Sequence, residues 1–230
     1  MDNCCDLLFL KGDVMAEERK IEDRQYEAQF LTTEHFVLQT ARTGTIQEAN
    51  GRATLFVTSL SSAVVALGFV AQVTQMGEGF LFFALIILPP LYFIGSVSFV
   101  RAVQVAIEDM INARAMARIR HYFVERSPSV QPYLVHSIHD DYAAVLSSFG
   151  FQSSMLQSFM TTAGMVNVVN GVIAGVFVGL AIKAAFGSTL AVCTVSGVGV
   201  FFFTVALWRW YQVRAWANAE QNILVLFPSD

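Results

Sequence analysis

The chain has 230 residues, 55% of them hydrophobic and only 14% charged, with a mean hydropathy of +0.54. A soluble domain carries about 25% charged residues, so the composition argues against one. A formal net charge of −4, with no basic stripe interleaved with aromatics, sets nucleic-acid binding aside.

Residues 1–16 read as a loosely ordered tail. The apolar run 7–10 is too short for the core of a cleavable signal and has no basic flank before it. The first span is therefore expected to serve as its own membrane signal. Residues 17–52 read as a cytoplasmic helix free of proline, with no glycine before Gly44. Its apolar residues (Ile21, Tyr26, Phe30, Phe36, Val37, Leu38) lie on more than one face, so the helix is expected to seek partners on several sides. Asn50-Gly51 is expected to bend or interrupt the chain before lipid.

Four stretches, 53–77, 79–100, 142–182 and 184–208, contain no Asp, Glu, Lys or Arg. Each exceeds the roughly 20 residues that cross about 30 Å of hydrocarbon as a helix. Residues 53–103 are expected to form the first transmembrane hairpin. Its first span gathers Thr54, Thr58, Ser61, Ser62 and Gly68 on a smaller side, with Leu55, Phe56, Leu60, Val64 and Phe69 as bulk elsewhere. Hydroxyls that bond the carbonyl one turn back are tolerated in lipid. Thr58, Ser61 and Ser62 are thus candidates for helix contact or for a pore wall. The second span places Pro89 and Pro90 near its midpoint, a candidate hinge, because proline removes a donor and disfavours helix in the residue before it.

Residues 104–161 read as a cytoplasmic helical hairpin. The apolar stripe Val103, Ile107, Met110, Ile111 and Ile119 carries the second span onward as a rod. The turn at 127–132 then sends the chain back as a helix from Tyr133. Within it His136, His139 and Asp140 have the spacing of ligands on one helix face, but a solvated helix start is the preferred reading and no metal is expected.

Residues 162–208 read as the second transmembrane hairpin. Asn167, Gly171, Gly175, Gly179 and Lys183 recur every fourth place, with Asn170 beside them. Glycines at this spacing admit a second backbone, and a transmembrane amide finds its partner across a helix contact. The row is read as a protein contact or a pore wall, never a lipid face. Residues 209–230 form a C-terminal helix or tail, and Trp208, Trp210, Tyr211 and Trp216 are placed at the inner headgroup level.

Thirteen of the 14 basic residues fall in segments on one side of such a bilayer, Lys183 being the exception. Cytoplasmic loops accumulate Lys and Arg, so both termini are expected inside a plasma or inner membrane. Cys4, Cys5 and Cys193 suggest neither a metal site nor a disulfide framework. With no catalytic motif and no cofactor loop, no enzyme is expected. The spans hold no carboxylate, which argues against a proton relay.

The fold class expected is all-α, a polytopic membrane protein with four transmembrane helices and long cytoplasmic helical extensions. Its expected partners are the lipid bilayer, further copies of itself, and a cytosolic protein in the alternative described next. The function expected is an oligomeric ion or small-solute channel or pore; the alternative is a non-conducting scaffold or signalling subunit. The layout of helix, membrane hairpin and helix resembles that of small membrane effectors of bacterial defence systems, in layout alone.

Overall fold

A computed structural model describes residues 3–150 and 161–229. Among them there is no strand, and the chain is all-helical. Helix α1 covers Asn3–Thr74 without interruption. Residues 3–16 therefore belong to a helix rather than to a loose tail, and α1 also passes through Gly44 and Asn50-Gly51 unbroken. A glycine weakens a helix by about 1 kcal/mol relative to alanine, and contact with the next helix along its length outweighs that. Gln75 and Met76, both at positive φ (48° and 59°), end α1 and reverse the chain.

Helix α2, Glu78–Arg126, runs back along α1 and remains helical through Pro89 and Pro90. The proline pair does not break it. Leu88 and Leu91, on either side of the pair, are 5% and 4% exposed, so packing on both sides holds the helical path that local sterics disfavour.

A 3-10 turn over Pro128–Tyr133 follows, then an irregular segment, then the short helix α3, Tyr142–Ser148. The return helix expected from Tyr133 is absent over 134–141; the rest of that expectation, 151–160, lies outside the described residues. The irregular path has a physical cause. Asp141 caps α3, its Oδ2 accepting from the Ala144 N–H at 3.0 Å, while Asp140 is drawn away to other partners.

Helix α4, Thr162–Phe186, starts with the Thr161 hydroxyl accepting from the Gly164 N–H at 3.1 Å. It stops at Gly187, whose φ of 59° suits glycine and whose N–H returns to the Lys183 carbonyl. Helix α5, Leu190–Asn222, completes the second hairpin, and residues 223–229 fold back on the molecule.

The helices α1, α2, α4 and α5 are each long and apolar enough to cross a membrane. This suggests a multi-pass membrane protein. α2 is the central element: α1 lies along it on one side and α4 on another, while α5 pairs with α4. Phe56 and Ala63 of α1, Leu88, Phe99 and Val103 of α2, and Val166 and Ile173 of α4 share one core. A smaller one joins Met110, Ala113 and Ala117 of α2 to Val145 of α3, with Trp216 of α5 against it. Within lipid such contacts hold by close packing rather than by exclusion of water.

Candidate functional site

The polar face of α4 lies inside the subunit. A Cβ on Gly175 would stand 2.5 Å from the Gly197 carbonyl oxygen, and one on Gly197 would stand 2.8 Å from that of Gly175. The two backbones of α4 and α5 thus touch where neither helix has a side chain. Gly179 meets the Cys193 carbonyl in the same way, while Gly171 makes room for the side chains of Val205 and Phe201. Asn167, 2% exposed, donates through Nδ2 to the Val205 carbonyl at 3.2 Å. Asn170, fully buried, donates to the Ser96 hydroxyl of α2 at 3.0 Å. Lys183 at the far end donates to the Ser188 carbonyl at 3.2 Å. The glycines therefore serve the contact with α5, and the two amides tie α4 to its neighbours.

The polar face of α1 is placed oppositely. Thr58, Ser61 and Ser62 are all exposed. Ser61 donates to the Val57 carbonyl at 2.9 Å and Ser62 to that of Thr58 at 3.0 Å. Only 11% of the most apolar window of α1 is buried, against 39% for α4. The two candidate faces are thus separated by the fold, one enclosed and one open.

Two hollows accompany them. One of about 550 Å³ lies along α4 and α5, lined by Gly175, Val176, Gly179, Lys183, Gly197 and Val198. The other, about 330 Å³, lies among Arg52, Arg101, Gln104 and Trp208.

Beyond the apolar spans, ion pairs join α1 to α2 along the antiparallel pair. Glu27 meets Arg126 at 2.9 Å and accepts from the Tyr122 hydroxyl. Arg42 is bidentate to Asp109 at 2.8 and 3.0 Å. Arg101 is bidentate to Glu48 at 2.7 and 2.9 Å, and Arg52 adds a third bond at 3.1 Å. The hydrogen bonds from Arg101, then from Arg52, hold the Glu48 carboxyl down at about 2. None of these pairings was read from the sequence, although salt-bridge partners at helical spacing on both strands of a hairpin were open to a search.

A second cluster organises the segment after α2. Asp140, fully buried, accepts from Arg118 at 2.7 Å and from the backbone N–H groups of Leu226 and Phe227. Burial pushes its carboxyl up, but those donors outweigh it and the net shift is downward. Asp141 binds the N–H and hydroxyl of Ser229. The Phe227 ring stacks on His121 at 3.8 Å. His136 instead packs on Phe149 and His139 faces His121. Among the described residues no group of His, Cys, Asp or Glu could hold a metal ion. The aspartates serve as anchors for the C-terminal strap.

Arg114, 1% exposed, pairs with Glu220 at 2.6 Å and lies 6.0 Å from the Tyr142 ring, linking α2, α5 and α3. Of the aromatic residues placed at the headgroup level, Trp208 packs on Phe99 at 5.1 Å and Tyr211 on the same ring at 6.3 Å. Trp216 packs against Tyr142, and Trp210 remains exposed. A single belt of outward rings is not what these residues form.

The fold thus suggests a class, an all-helical multi-pass membrane protein with its amide-bearing face closed and its hydroxyl-bearing face open. No family model, curated protein or solved structure matches the chain.

Proposed function

We propose that the chain is the subunit of an oligomeric membrane channel or pore for ions or small solutes. Its polar extensions and both termini lie in the cytoplasm, and the membrane is the plasma or inner membrane. The observation that carries this reading is the exposed hydroxyl face of α1 at Thr58, Ser61 and Ser62, within an apolar helix, where Ser61 and Ser62 bond back to carbonyls of α1 itself. A single subunit of four spans encloses too little space for an aqueous path, so several copies surround one. The α1 helices, with their serine and threonine hydroxyls, then gather about the axis while Asn167 and Asn170 hold each subunit together. The basic residues clustered on one side support the orientation.

Purified protein reconstituted in liposomes is expected to pass ions or small solutes. Watertight vesicles holding folded oligomers would remove the proposal. The second reading, a non-conducting scaffold or signalling subunit, draws on the exposed rings of Tyr26, Phe30 and Phe36 on the polar half of α1. It expects tight vesicles together with one stoichiometric cytosolic protein bound to the purified complex.

A further inference from the structure

Helix α1 carries two seams. On the inner side, Leu31 and every seventh residue to Ala66, with His35 and every seventh residue to Val70, are buried or half-buried. These face α2, the neighbour along which α1 lies. A repeat of seven keeps one face on its neighbour when the two helices coil left-handedly about each other.

The outer side keeps the same phase. From Tyr26, stepping alternately four and three residues, a series runs through Gly44, Gly51, Thr58 and Ser61 to Gln72. Every member is exposed and none is charged. In the apolar half the bulky exposed side chains Leu55, Val57, Val64 and Phe69 stand off this series. In that half hydroxyls and glycine dominate it, with Val65 its one bulky apolar member and Gln72 at its end.

The glycines supply an independent observation. Within 26–72 the helix has three, Gly44, Gly51 and Gly68, and all three fall on the outer series. A Cβ at any of them would meet nothing within 4 Å, and none has a positive φ. Among the described residues nothing asks for glycine at these places, in contrast to Gly175 and Gly197. Each weakens the helix relative to alanine, which is the pattern of a helix that another backbone approaches.

The geometry points to a second copy of this chain as the occupant. Copies meet α1 to α1, in parallel, with the outer series innermost about an axis normal to the membrane. This deepens the proposed function and rests on its reading of the chain as a membrane-spanning oligomer.

Three arguments select a copy over another partner. The bilayer imposes one topology on identical chains, so α1 helices meet in parallel and each residue meets its own kind. An uncharged series tolerates that at every level, where like charges would repel. A partner must also match an apolar span continued by a polar helical extension, and the chain itself provides that match. At 1.5 Å per residue the series is about 70 Å long, and a strip about 10 Å wide offers about 700 Å² per copy, close to the ~800 Å² of a standard interface.

The test uses the full chain in membrane vesicles, with Cys4, Cys5 and Cys193 replaced by serine. Single cysteines are placed on the series (Gly51→Cys, Thr58→Cys, Ser61→Cys) and beside it (Leu55→Cys, Val64→Cys), then oxidised with copper phenanthroline. Disulfide-linked dimers are expected at the first three positions and lost at the other two. Equal linking in both sets, or linking in neither, overturns the inference.

A second measurement is the mass of the detergent-solubilised Gly68→Leu protein, at a position where an added Cβ meets nothing within 4 Å among the described residues. Its mass is expected to fall to that of a monomer with helix content unchanged. An assembled mass equal to the unsubstituted protein's overturns the inference, as does a monomeric unsubstituted protein. Solute flux through the same vesicles separates the two claims. Linked seams in watertight vesicles keep this interface and remove conduction, whereas flux without seam linking keeps conduction and removes this interface.

Discussion

Gly175 and Gly68 both sit in apolar helices, yet only the first is held to glycine by its own subunit. Gly175 touches the Gly197 carbonyl, a backbone atom that cannot swing aside. Gly175→Ala is therefore expected to lower the unfolding midpoint in detergent, by an amount equivalent to about 1–3 kcal/mol, as overpacking does. Gly68→Ala, measured on protein first dissociated to monomers, is expected to raise it by roughly 0.5–1 kcal/mol, from helix propensity alone. The bond from Asn170 to Ser96 gives a second test at this scale. A double-mutant cycle of Asn170→Ala and Ser96→Ala is expected to show a coupling of about 0.6 kcal/mol, with ~1.7 as the upper bound for such interhelical bonds. Zero coupling would show that the amide holds α4 to α2 by shape alone. The every-fourth row on α4 was legible in the sequence because glycine at that spacing has few other uses in an apolar helix. Its partner was not legible, since Gly197 faces Gly175 only once the hairpin has closed.

The long helices were legible because stretches free of charge run past the length of a bilayer crossing. The irregular segment 134–141 was not. Asp140 and Asp141 are held by Leu226 and Ser229, 86 and 88 residues further on, and no local pattern announces such distant donors. The proline pair misled in the other direction, because the rule against proline in helices is local and the packing of Leu88 and Leu91 is not. The same anchors set a pH dependence. Asp140 has its carboxyl lowered from the ordinary 3.8, so its contribution is fully present above that value and is lost as pH falls through its folded value. Amide exchange of 223–229 is thus expected to stay slow down to pH 3.8 and to accelerate below it. Asp140→Asn should produce the fast exchange already at neutral pH. Glu48, held at about 2 against an ordinary 4.5, behaves alike: its contribution is fully present above 4.5 and is lost as pH falls through about 2. Glu48→Gln is expected to speed exchange where α1 meets Arg101, leaving the strap unchanged.

At the scale of the whole molecule, the proposed orientation makes a direct prediction. A cysteine at Lys183 should react with a membrane-impermeant thiol reagent added outside intact cells, and one at Ser129 only after the membrane is opened. The reverse pattern would invert the topology without disturbing the helices. Four spans could be counted from composition, but which polar face would be enclosed could not, because that choice depends on how α4 closes on α5 and α2. The strap has a practical corollary. Its last described residue, Ser229, is hydrogen-bonded to Asp141, so a fluorescent protein or affinity handle fused after residue 230 would tug at the aspartate pair and loosen the contact between α2 and α5. Such a fusion would report on a molecule altered by its own label, whereas a probe inserted in the 3-10 turn at Pro128–Tyr133, where no residue is buried, would leave that junction alone.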